Sequence, residues 1–373
     1  MVNIQQLLAL MKEHDADDLY LTAGRPPSYK ISGSVRAAGK QALSPEVVQG
    51  LARSIMTEAQ ATEFLETKEQ NLALHYSDIG RFRANIYMQK ANVAMVIRKI
   101  EVEIKTVDDL KLPSVIKDIS MTKRGLVLVV GATGSGKSTS LAAMIDYRNT
   151  NEAGHIMTVE DPVEFVHEHK KCVVSQREVG VDTDSFRNAL KNALRQAPTV
   201  ILIGEIRDEE TMEHAINFAE TGHLCLATLH SNNANQAMER VINFFPPERH
   251  RQIYMQLSLN LQAVISQRLI KTVDGGRAAA IEVLRSSGRV RDLIKKGQVD
   301  DLKEAMEAGQ LEGMQTFDQA LYSLYEQGRI SYEEAIQNAD NATDLKLKIK
   351  LIAAAADAES DEGEENGVAM ELS

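Results

Sequence analysis

The chain has 373 residues, of which 43% are hydrophobic and 25% are charged, as in ordinary globular proteins. No apolar run approaches the length of about 18 residues that a membrane-spanning helix needs, and the first residues lack the basic and apolar regions of a secretory signal. The two cysteines, Cys172 and Cys225, are too few for a disulfide framework or a four-cysteine zinc site. These features predict a cytoplasmic protein without membrane helices.

Negative charge is concentrated at the carboxyl end of the chain. The net charge is −11, and residues 354–373 contain seven acids and no Lys or Arg. Such a segment cannot bury enough apolar surface to fold, so we expect residues 346–373 to contain a helix end followed by an acidic disordered tail. The rest of the chain is only slightly acidic, whereas dedicated nucleic-acid binders present a basic stripe. This distribution predicts that the protein does not bind nucleic acid.

The first elements in chain order follow from helical spacing and turn residues. An amphipathic helix with Asn3 as its N-cap is predicted, because apolar residues recur at intervals of three and four: Ile4, Leu7, Leu8 and Met11. Leu19–Thr22 then has the composition of a short strand, and Ala23–Pro27 that of a turn. A second helix is predicted to begin after Ser44, with Ser44 as its N-cap, because Pro45 suits the first helical position.

A strand with one apolar and one polar face is predicted over Arg81–Met88. Its apolar face contains Phe82, Ala84, Ile86 and Met88, and its polar face contains Arg81, Arg83, Asn85 and Tyr87. After a turn, Val93–Ile97 predicts the return strand, and Arg98 follows it. Together with the preceding elements, these strands predict a small α+β domain over residues 1–100.

The pattern changes after a charged stretch, residues 101–112, which we interpret as a linker. Gly125–Val130 is a continuous apolar run, as expected of a parallel strand covered on both faces. Further apolar runs alternate with helical segments: His155–Val159, Val200–Ile203 and His223–Leu229. An apolar helical stripe then runs from Phe317 to Tyr325, and Ser331 begins the capping box of another helix. Residues 113–345 therefore predict an α/β domain with a mostly parallel sheet and C-terminal helices.

Residues 131–138 match the phosphate-binding P-loop pattern, between an apolar strand and a helical segment. Glycines allow backbone N–H groups to approach phosphates, and the following helix directs its positive end at them. Lys137 would contact the β- and γ-phosphates, and the Ser138 hydroxyl would bind Mg²⁺. The sequence thus predicts ATP and Mg²⁺ as ligands. The residues expected to bind the nucleotide are Gly131, Ala132, Thr133, Gly134, Ser135, Gly136, Lys137, Ser138 and Thr139.

A carboxylate at the end of another strand completes the expected metal site. The apolar strand Val200–Ile203 leads into Gly204 and Glu205. This is where P-loop proteins carry an acid near the metal, with Glu here in place of Asp. We expect Glu205 to hold Mg²⁺ through a water molecule.

Four motifs in the same order resemble the PilT/PilU family of type IV pilus retraction ATPases, within the type II/IV secretion ATPase superfamily. They are the P-loop, the acidic segment Thr158–Phe165, the segment Gly204–Asp208 and the histidine-containing segment Thr221–His230. The resemblance covers nearly the whole chain. It implies a RecA-like P-loop ATPase domain preceded by a small α+β domain of the PAS type. It also implies an ATP-hydrolysing homo-hexamer that powers pilus retraction and twitching motility at the cytoplasmic face of the bacterial inner membrane.

The resemblance also implies roles for side chains outside the P-loop. Glu164 would be the general base that activates water, with Glu160 as the competing candidate. His230 would sense the γ-phosphate, and His223 would contribute to nucleotide binding. The polar strand face leaves two interpretations: a solvated surface, or arginine fingers that stabilise charge in the transition state. The arginines concerned are Arg81, Arg83 and Arg98.

Within this family the chain resembles the PilU branch more than the PilT branch. The PilU-like features are Arg195–Pro198, Gly313–Ala320 and the acidic extension, and the segment Gly288–Lys296 departs from the PilT pattern. The resemblance implies action with a PilT-like ATPase and an inner-membrane pilus platform protein, so that the chain contacts the membrane only through partner proteins. Two alternatives stay open: a nucleotide-binding ring subunit with little turnover, and a RecA-type ATPase that translocates nucleic acid.

Overall fold

The computed structural model describes residues 3–31, 33–100 and 103–352, and their contacts form two compact units. The first unit contains the described residues up to Ile104 together with Glu160–Glu168 and Gln176–Ala189, and the second contains the remainder. The predicted domain boundaries assign those two internal segments to the ATPase domain. Residues 101 and 102 of the predicted linker, and the predicted acidic tail from residue 353 onward, lie outside the described residues.

The first unit consists of an antiparallel sheet and helices. Its helices are α1 (Ile4–Glu13), α2 (Pro45–Ile55) and α3 (Glu58–Thr67). Its strands are β1 (Asp18–Thr22), β2 (Ser28–Ile31), β3 (Ser34–Ala37), β4 (Glu69–Tyr76), β5 (Gly80–Gln89) and β6 (Asn92–Ile100). Among the described residues these strands form one sheet in the order β3-β2-β1-β6-β5-β4. Each neighbouring pair is antiparallel, which confirms the predicted α+β character.

Local signals in this unit account for its first helices. The Asn3 side chain accepts a hydrogen bond from Gln5 N at 2.9 Å, and the buried face of α1 consists of the predicted residues. Ser44 caps α2 by accepting a hydrogen bond from Val47 N at 3.4 Å, with Pro45 as the first helical residue. Both predicted helices are therefore confirmed.

Strand β5 alternates as predicted over most of its length. Phe82, Ala84 and Ile86 are fully buried in the core of the first unit. Met88, which was predicted on the same face, lies at the end of the strand beside a turn and is 38% exposed. The expected position of Arg98 needs correction: it lies inside β6, since the pairing of β5 with β6 continues to the end of that strand.

A mostly parallel sheet forms the centre of the second unit. The helices in this part of the chain are α4 (Val115–Ser120), α5 (Lys137–Asn151), α6 (Phe186–Ala193), α7 (Glu209–Glu220), α8 (Ala234–Asn243), α9 (His250–Asn260), α10 (Gly288–Lys296), α11 (Leu302–Ala308), α12 (Phe317–Glu326) and α13 (Tyr332–Asn338). The strands are β7 (Gly125–Val130), β8 (Gly154–Glu160), β9 (Cys172–Glu178), β10 (Val200–Ile203), β11 (Leu224–Leu229), β12 (Leu261–Lys271) and β13 (Arg277–Arg285). No helix within the described ranges has both the length and the apolar composition needed to cross a bilayer.

The order of the strands brings several loops to one edge of the sheet. For the described residues the order is β13-β12-β7-β11-β10-β8-β9. The pairs from β12 to β8 are parallel, and β13 pairs antiparallel with β12. Strands β7 and β11 are buried along their whole length, as predicted for strands covered on both faces. The α/β fold is thus confirmed, and the segments that follow β7, β10 and β11 meet at the carboxyl edge.

The C-terminal helices pack on the hairpin of β12 and β13. Apolar residues of α12 form a cluster with Ile270 and its neighbours on the hairpin. Ser331 caps α13 as predicted, by accepting a hydrogen bond from Glu334 N at 3.2 Å. The Glu334 carboxylate accepts from Asn338 Nδ2 at 3.3 Å instead of from the cap. The predicted capping box is therefore only half formed.

Replacing Phe82 with Ala tests the core of the first unit. Phe82 is fully buried, so the lost packing and the resulting cavity should lower the free energy of unfolding by about 3–5 kcal/mol. Met88→Ala, on the same strand, is the matched control and should cost less than about 1 kcal/mol because its side chain is partly exposed. Urea denaturation followed by circular dichroism measures both losses. Equal losses for the two variants would contradict the difference in burial.

Candidate active site

The P-loop connects the end of β7 to the start of α5. Strand β7 ends at Val130, and α5 begins at Lys137 with Gly136 as its N-cap. Gly136 has a φ of +89°, in the left-handed region that glycine adopts without strain. The loop therefore lies at the carboxyl edge of the sheet, at the amino end of a 15-residue helix. This arrangement directs backbone N–H groups and the positive end of the helix at a phosphate.

A glutamine on β12, for which the sequence pattern predicts no role, packs against the P-loop. Gln267 is 3% exposed, and its Oε1 accepts a hydrogen bond from Ser140 Oγ at 2.8 Å. A Cβ atom added to Gly131 would lie 2.5 Å from Gln267 O, and one added to Gly136 would lie 2.7 Å from Gln267 Nε2. A Cβ at position 131 would therefore meet the backbone of β12, and a Cβ at position 136 would have to displace the Gln267 side chain.

Buried polar groups inside the P-loop fit an anion. Lys137 is 9% exposed, and its Nζ donates hydrogen bonds to Gly131 O at 2.8 Å and Ala132 O at 3.0 Å. Ser135 is 7% exposed, and within the described part of the chain its Oγ has no hydrogen-bond partner. A buried hydroxyl with unused capacity near a buried cation suits a phosphate oxygen.

Clefts beside the P-loop have room for the rest of a nucleotide. One, of about 530 Å³, is bounded by Gly131, Ala132, His230 and residues of α8. Another, of about 350 Å³, is bounded by loop residues 131–135 and by Gln267, Arg268, Leu269 and Arg277 of the hairpin. The remaining predicted nucleotide-binding residues, Gly136, Ser138 and Thr139, are partly buried at the start of α5.

Glu205 follows β10 and is held between two basic side chains. Arg207 Nη2 lies 2.6 Å from Glu205 Oε2, and His230 Nε2 lies 3.1 Å from Oε1. Burial acts to raise the pKa of Glu205, but Arg207, His230 and Lys137 together hold this pKa below its usual value. Glu205 is thus an ionised carboxylate within electrostatic range of the P-loop lysine. Carboxylate and hydroxyl oxygens such as those of Glu205 and of Ser138, at the start of α5, are ligands that suit Mg²⁺, which binds few protein oxygens and keeps several waters.

Hydrogen bonds between strand ends maintain this arrangement. Thr228 Oγ1 donates to Gly204 O at 2.5 Å, and Ile206 N donates to Thr228 O at 2.9 Å. Gly204 N also donates to Val159 O at 2.8 Å. The backbone on both sides of Glu205 is therefore bound to the neighbouring strands β8 and β11.

The two predicted histidines lie at opposite ends of β11. His230 follows the strand and contacts Glu205, as described above. His223 precedes the strand: its carbonyl oxygen accepts a hydrogen bond from Gly125 N at 2.9 Å, and its Nδ1 lies 3.1 Å from Thr221 Oγ1. Because β11 pairs along its length with β7, the strand separates His223 from the P-loop edge by about 20 Å. Within its own subunit the His223 ring therefore cannot reach a phosphate in the loop, and its contribution to nucleotide binding stays a prediction.

The acidic segment lies in the first unit from Glu160 onward, and Glu160 and Glu164 differ in their surroundings. Glu160 is half-buried, and its Oε1 accepts a hydrogen bond from Gln176 Nε2 at 3.3 Å. Glu164 is exposed, while Val163 N beside it donates to Glu178 Oε2 at 3.0 Å. An exposed carboxylate next to an anchored backbone is better suited to bind water than a carboxylate that is already engaged. The geometry therefore favours Glu164 over Glu160 as a candidate base.

The arginines of the polar strand face form ion pairs inside the first unit. Arg83 and Arg98 lie directly opposite each other on β5 and β6. Arg83 Nη2 is 3.8 Å from Asp161 Oδ1, and Arg98 Nε is 2.7 Å from Asp18 Oδ1. Arg81, two residues before Arg83 on the same strand face, is half-buried. The pair with Asp161 joins β5 to the acidic segment within this unit.

The fold and the P-loop site are shared with known proteins. A family model described as a type II/IV secretion system protein matches residues 108–350. The chain belongs to this family. PilU, a type IV pilus ATPase of Pseudomonas aeruginosa, is 56% identical to the chain over 351 residues, which are 94% of this chain and 92% of PilU. PilT, a type IV pilus retraction ATPase of the same organism, is 43% identical over 338 residues, 91% of this chain and 98% of PilT.

The crystal structure of the pilus retraction motor PilT with bound ADP has the same fold as the chain. Its TM-score is 0.87 at 39% identity, and the match covers 93% of this chain and 99% of that one. This chain is thus an ATPase of the PilT/PilU group. The predicted family, fold class, ATPase activity and nucleotide binding are confirmed.

A buried carboxylate supports the segment that follows His230 in this pilus ATPase. Glu282 on β13 is 2% exposed, and its Oε1 accepts hydrogen bonds from Ala234 N at 2.8 Å and Ser266 Oγ at 2.9 Å. Burial raises the pKa of Glu282 to about 7, although both hydrogen bonds oppose the rise. Ala234 is the first residue of α8, so Glu282 joins the β12–β13 hairpin to that helix.

Glu282→Gln should change how stability depends on pH. The carboxyl ionises near its ordinary pKa of 4.5 in the unfolded chain and near 7 in the folded chain. The folded state therefore binds more protons between these values, and stability falls as pH rises through this window. The amide does not titrate, so above pH 7 the variant should be more stable than the unmodified chain by about 3 kcal/mol. Urea denaturation of both proteins at pH 5 and pH 8 measures their free energies of unfolding. If the variant and the unmodified chain differed by the same amount at the two pH values, the raised pKa would be refuted.

Gly136→Ala and Gly134→Ala separate the contact with Gln267 from backbone strain. Gly136 and Gly134 have φ values of +89° and +76°, but only a Cβ at 136 meets Gln267. We expect Gly136→Ala to lower the free energy of unfolding by about 1–3 kcal/mol more than Gly134→Ala, and the double variant Gly136→Ala/Gln267→Ala to recover part of that loss. Denaturation without nucleotide measures these values. Equal losses for the two single variants would show that the Gln267 side chain moves away from the added Cβ without lowering stability.

Proposed function

We propose that this chain is one subunit of a homo-hexameric motor that uses ATP hydrolysis to power type IV pilus retraction and twitching motility. The likeness to PilU and PilT supports this function. The observation that carries the chemistry is that the parallel strands β7, β11 and β10 end at one edge of the sheet, which places Glu205, after β10, at the same edge as the buried Lys137 of the P-loop. A nucleotide motor needs this combination of a phosphate-binding cation and a metal-binding acid.

Residues of the P-loop and of the neighbouring strand ends have defined parts in the proposed mechanism. Lys137 binds the β- and γ-phosphates, and the loop N–H groups orient them for attack. Ser138 and Glu205 would hold Mg²⁺, Glu205 through water. The metal, when bound, would neutralise charge on the phosphates. His230, which contacts Glu205 at 3.1 Å, senses the γ-phosphate beside that carboxylate.

Residues of the first unit complete the proposed catalytic set. Glu164 acts as the general base that takes a proton from the attacking water. Arg81, Arg83 and Arg98 stabilise the negative charge that develops on the phosphoryl group. The exposure of the Glu164 and Arg98 side chains, which leaves both accessible to a ligand, supports these assignments.

The proposed partners are a PilT-like ATPase and the inner-membrane pilus platform protein, so the motor works at the cytoplasmic face of that membrane. The greater identity with PilU than with PilT supports a motor that acts beside a PilT-like partner. Helix α10 also presents basic residues to solvent where the PilT pattern differs: Arg289, Arg291, Lys295 and Lys296.

Phosphate release by the purified protein tests the proposed chemistry. Lys137→Ala should lose nucleotide binding, because the cation that faces the phosphates is removed. Glu164→Gln should bind ATP normally but hydrolyse it about 10²–10⁴-fold more slowly, because the amide cannot accept the proton from water. Glu168→Gln, an exposed acid nearby, is the matched control and should keep full activity.

The same assay separates the competing interpretations when the ring is checked by analytical ultracentrifugation. If the unmodified chain, Lys137→Ala and Glu164→Gln were equally inactive with the ring intact, the chain would be a nucleotide-binding accessory subunit. If Glu164→Gln alone kept full turnover, Glu164 would not be the base and Glu160→Gln would be measured next.

A further inference from the structure

Asp18 on β1 is a buried carboxylate within a line of charged side chains. It pairs in register with Lys30 on β2 and with Arg98 on β6, and Arg98 pairs in turn with Arg83 on β5. Residues directly opposite each other in antiparallel strands lie on the same face. Lys30, Asp18, Arg98 and Arg83 therefore cross the sheet as one charged row. Asp18, the acid of this row, is 1% exposed.

Asp18 makes two hydrogen bonds with Arg98 and only one with each of its other partners, Lys30 and Tyr20. Arg98 Nε donates to Oδ1 at 2.7 Å and Arg98 Nη2 to Oδ2 at 3.5 Å. Lys30 Nζ and the Tyr20 hydroxyl each reach only Oδ2, both at 3.4 Å. A two-point contact sets the plane of the guanidinium, whereas a lysine ammonium has no plane to set.

The charges around Asp18 favour the same pair. Burial acts to raise the pKa of Asp18, but Arg98 and Lys30 hold this pKa below its usual value. The pKa of Arg98 is raised, mainly by its hydrogen bond to Asp18, with a further contribution from Glu164. The Arg98 side chain is 68% exposed, so its guanidinium can contact a ligand while it remains bound to Asp18.

We infer that Asp18 is a positioning residue, which holds the Arg98 guanidinium in the orientation that stabilises the transition state of ATP hydrolysis. This inference rests on the proposed role of Arg98. Without Asp18, the Arg98 side chain would lose rotamer freedom each time it bound the phosphates. The pair with Asp18 already restricts those rotamers, so less conformational entropy is lost on binding. Because positioning acts on the chemical step, its loss lowers kcat and leaves the KM for ATP nearly unchanged.

A double-mutant cycle on the full chain tests this inference through ATP hydrolysis. Asp18→Asn should lower kcat about tenfold, and Arg98→Gln about a thousandfold. The double variant should be no slower than Arg98→Gln alone, because no guanidinium is left to position. Lys30→Gln removes the other cation from the same carboxylate and should leave kcat within about twofold.

The outcomes of the cycle are distinguishable. If Asp18→Asn lowered kcat by the same factor with and without Arg98, its role would be structural and the inference would be overturned. Unchanged kcat in Asp18→Asn would also overturn it, while the proposed motor function would stand. Unchanged kcat in Arg98→Gln would remove Arg98 from the mechanism and overturn the inference with it. If Asp18→Asn melted below the assay temperature, Asp18→Glu would replace it, with the same non-additivity expected at smaller size.

Discussion

Parallel pairing of β7, β11 and β10 is the constraint on which the active site depends. The P-loop follows β7, Glu205 follows β10 and His230 follows β11. The register pairs Val130 with Leu229 and Ile203 with Ala227, so the three strands end at nearly the same level. A slip of one residue would turn alternate side chains to the other face. The contact of His230 with Glu205 at 3.1 Å and the electrostatic effect of Lys137 on Glu205 both follow from this register.

Strand β12 supports this edge through three consecutive polar residues. Ser266 donates to Glu282, which binds the first N–H group of α8. Gln267 packs against the P-loop and accepts a hydrogen bond from the side chain of Ser140 on α5. Arg268 Nη1 donates to Asn338 O at 3.0 Å, at the end of α13. One strand therefore connects the phosphate loop, the helix after the histidine segment and the C-terminal helices. Buried polar residues are tolerated there because their groups are hydrogen-bonded.

The sequence predicts those features whose cause is local. The apolar composition of Gly125–Val130 is enough to predict that this strand is buried. The spacing of residues in the P-loop is enough to predict that the loop binds phosphate. Gln267 and Glu282 are different, because what makes them important is a partner more than a dozen residues away, which a single sequence does not reveal. His223 shows the same limit: it belongs to a motif, but only the direction of β11 reveals that it lies at the far end from the phosphates. The pair of Asp18 with Arg98 likewise joins residues that are distant in the chain.

The acidic segment from Glu160 onward belongs to the same compact unit as the strands that carry the arginines, although in the chain it continues directly from β8. The spacing among Glu164, Arg83 and Arg98 is therefore set inside one unit. With the proposed roles, a substitution that loosens the packing of this unit would therefore impair the base and the cations together, and neither could be lost without the other.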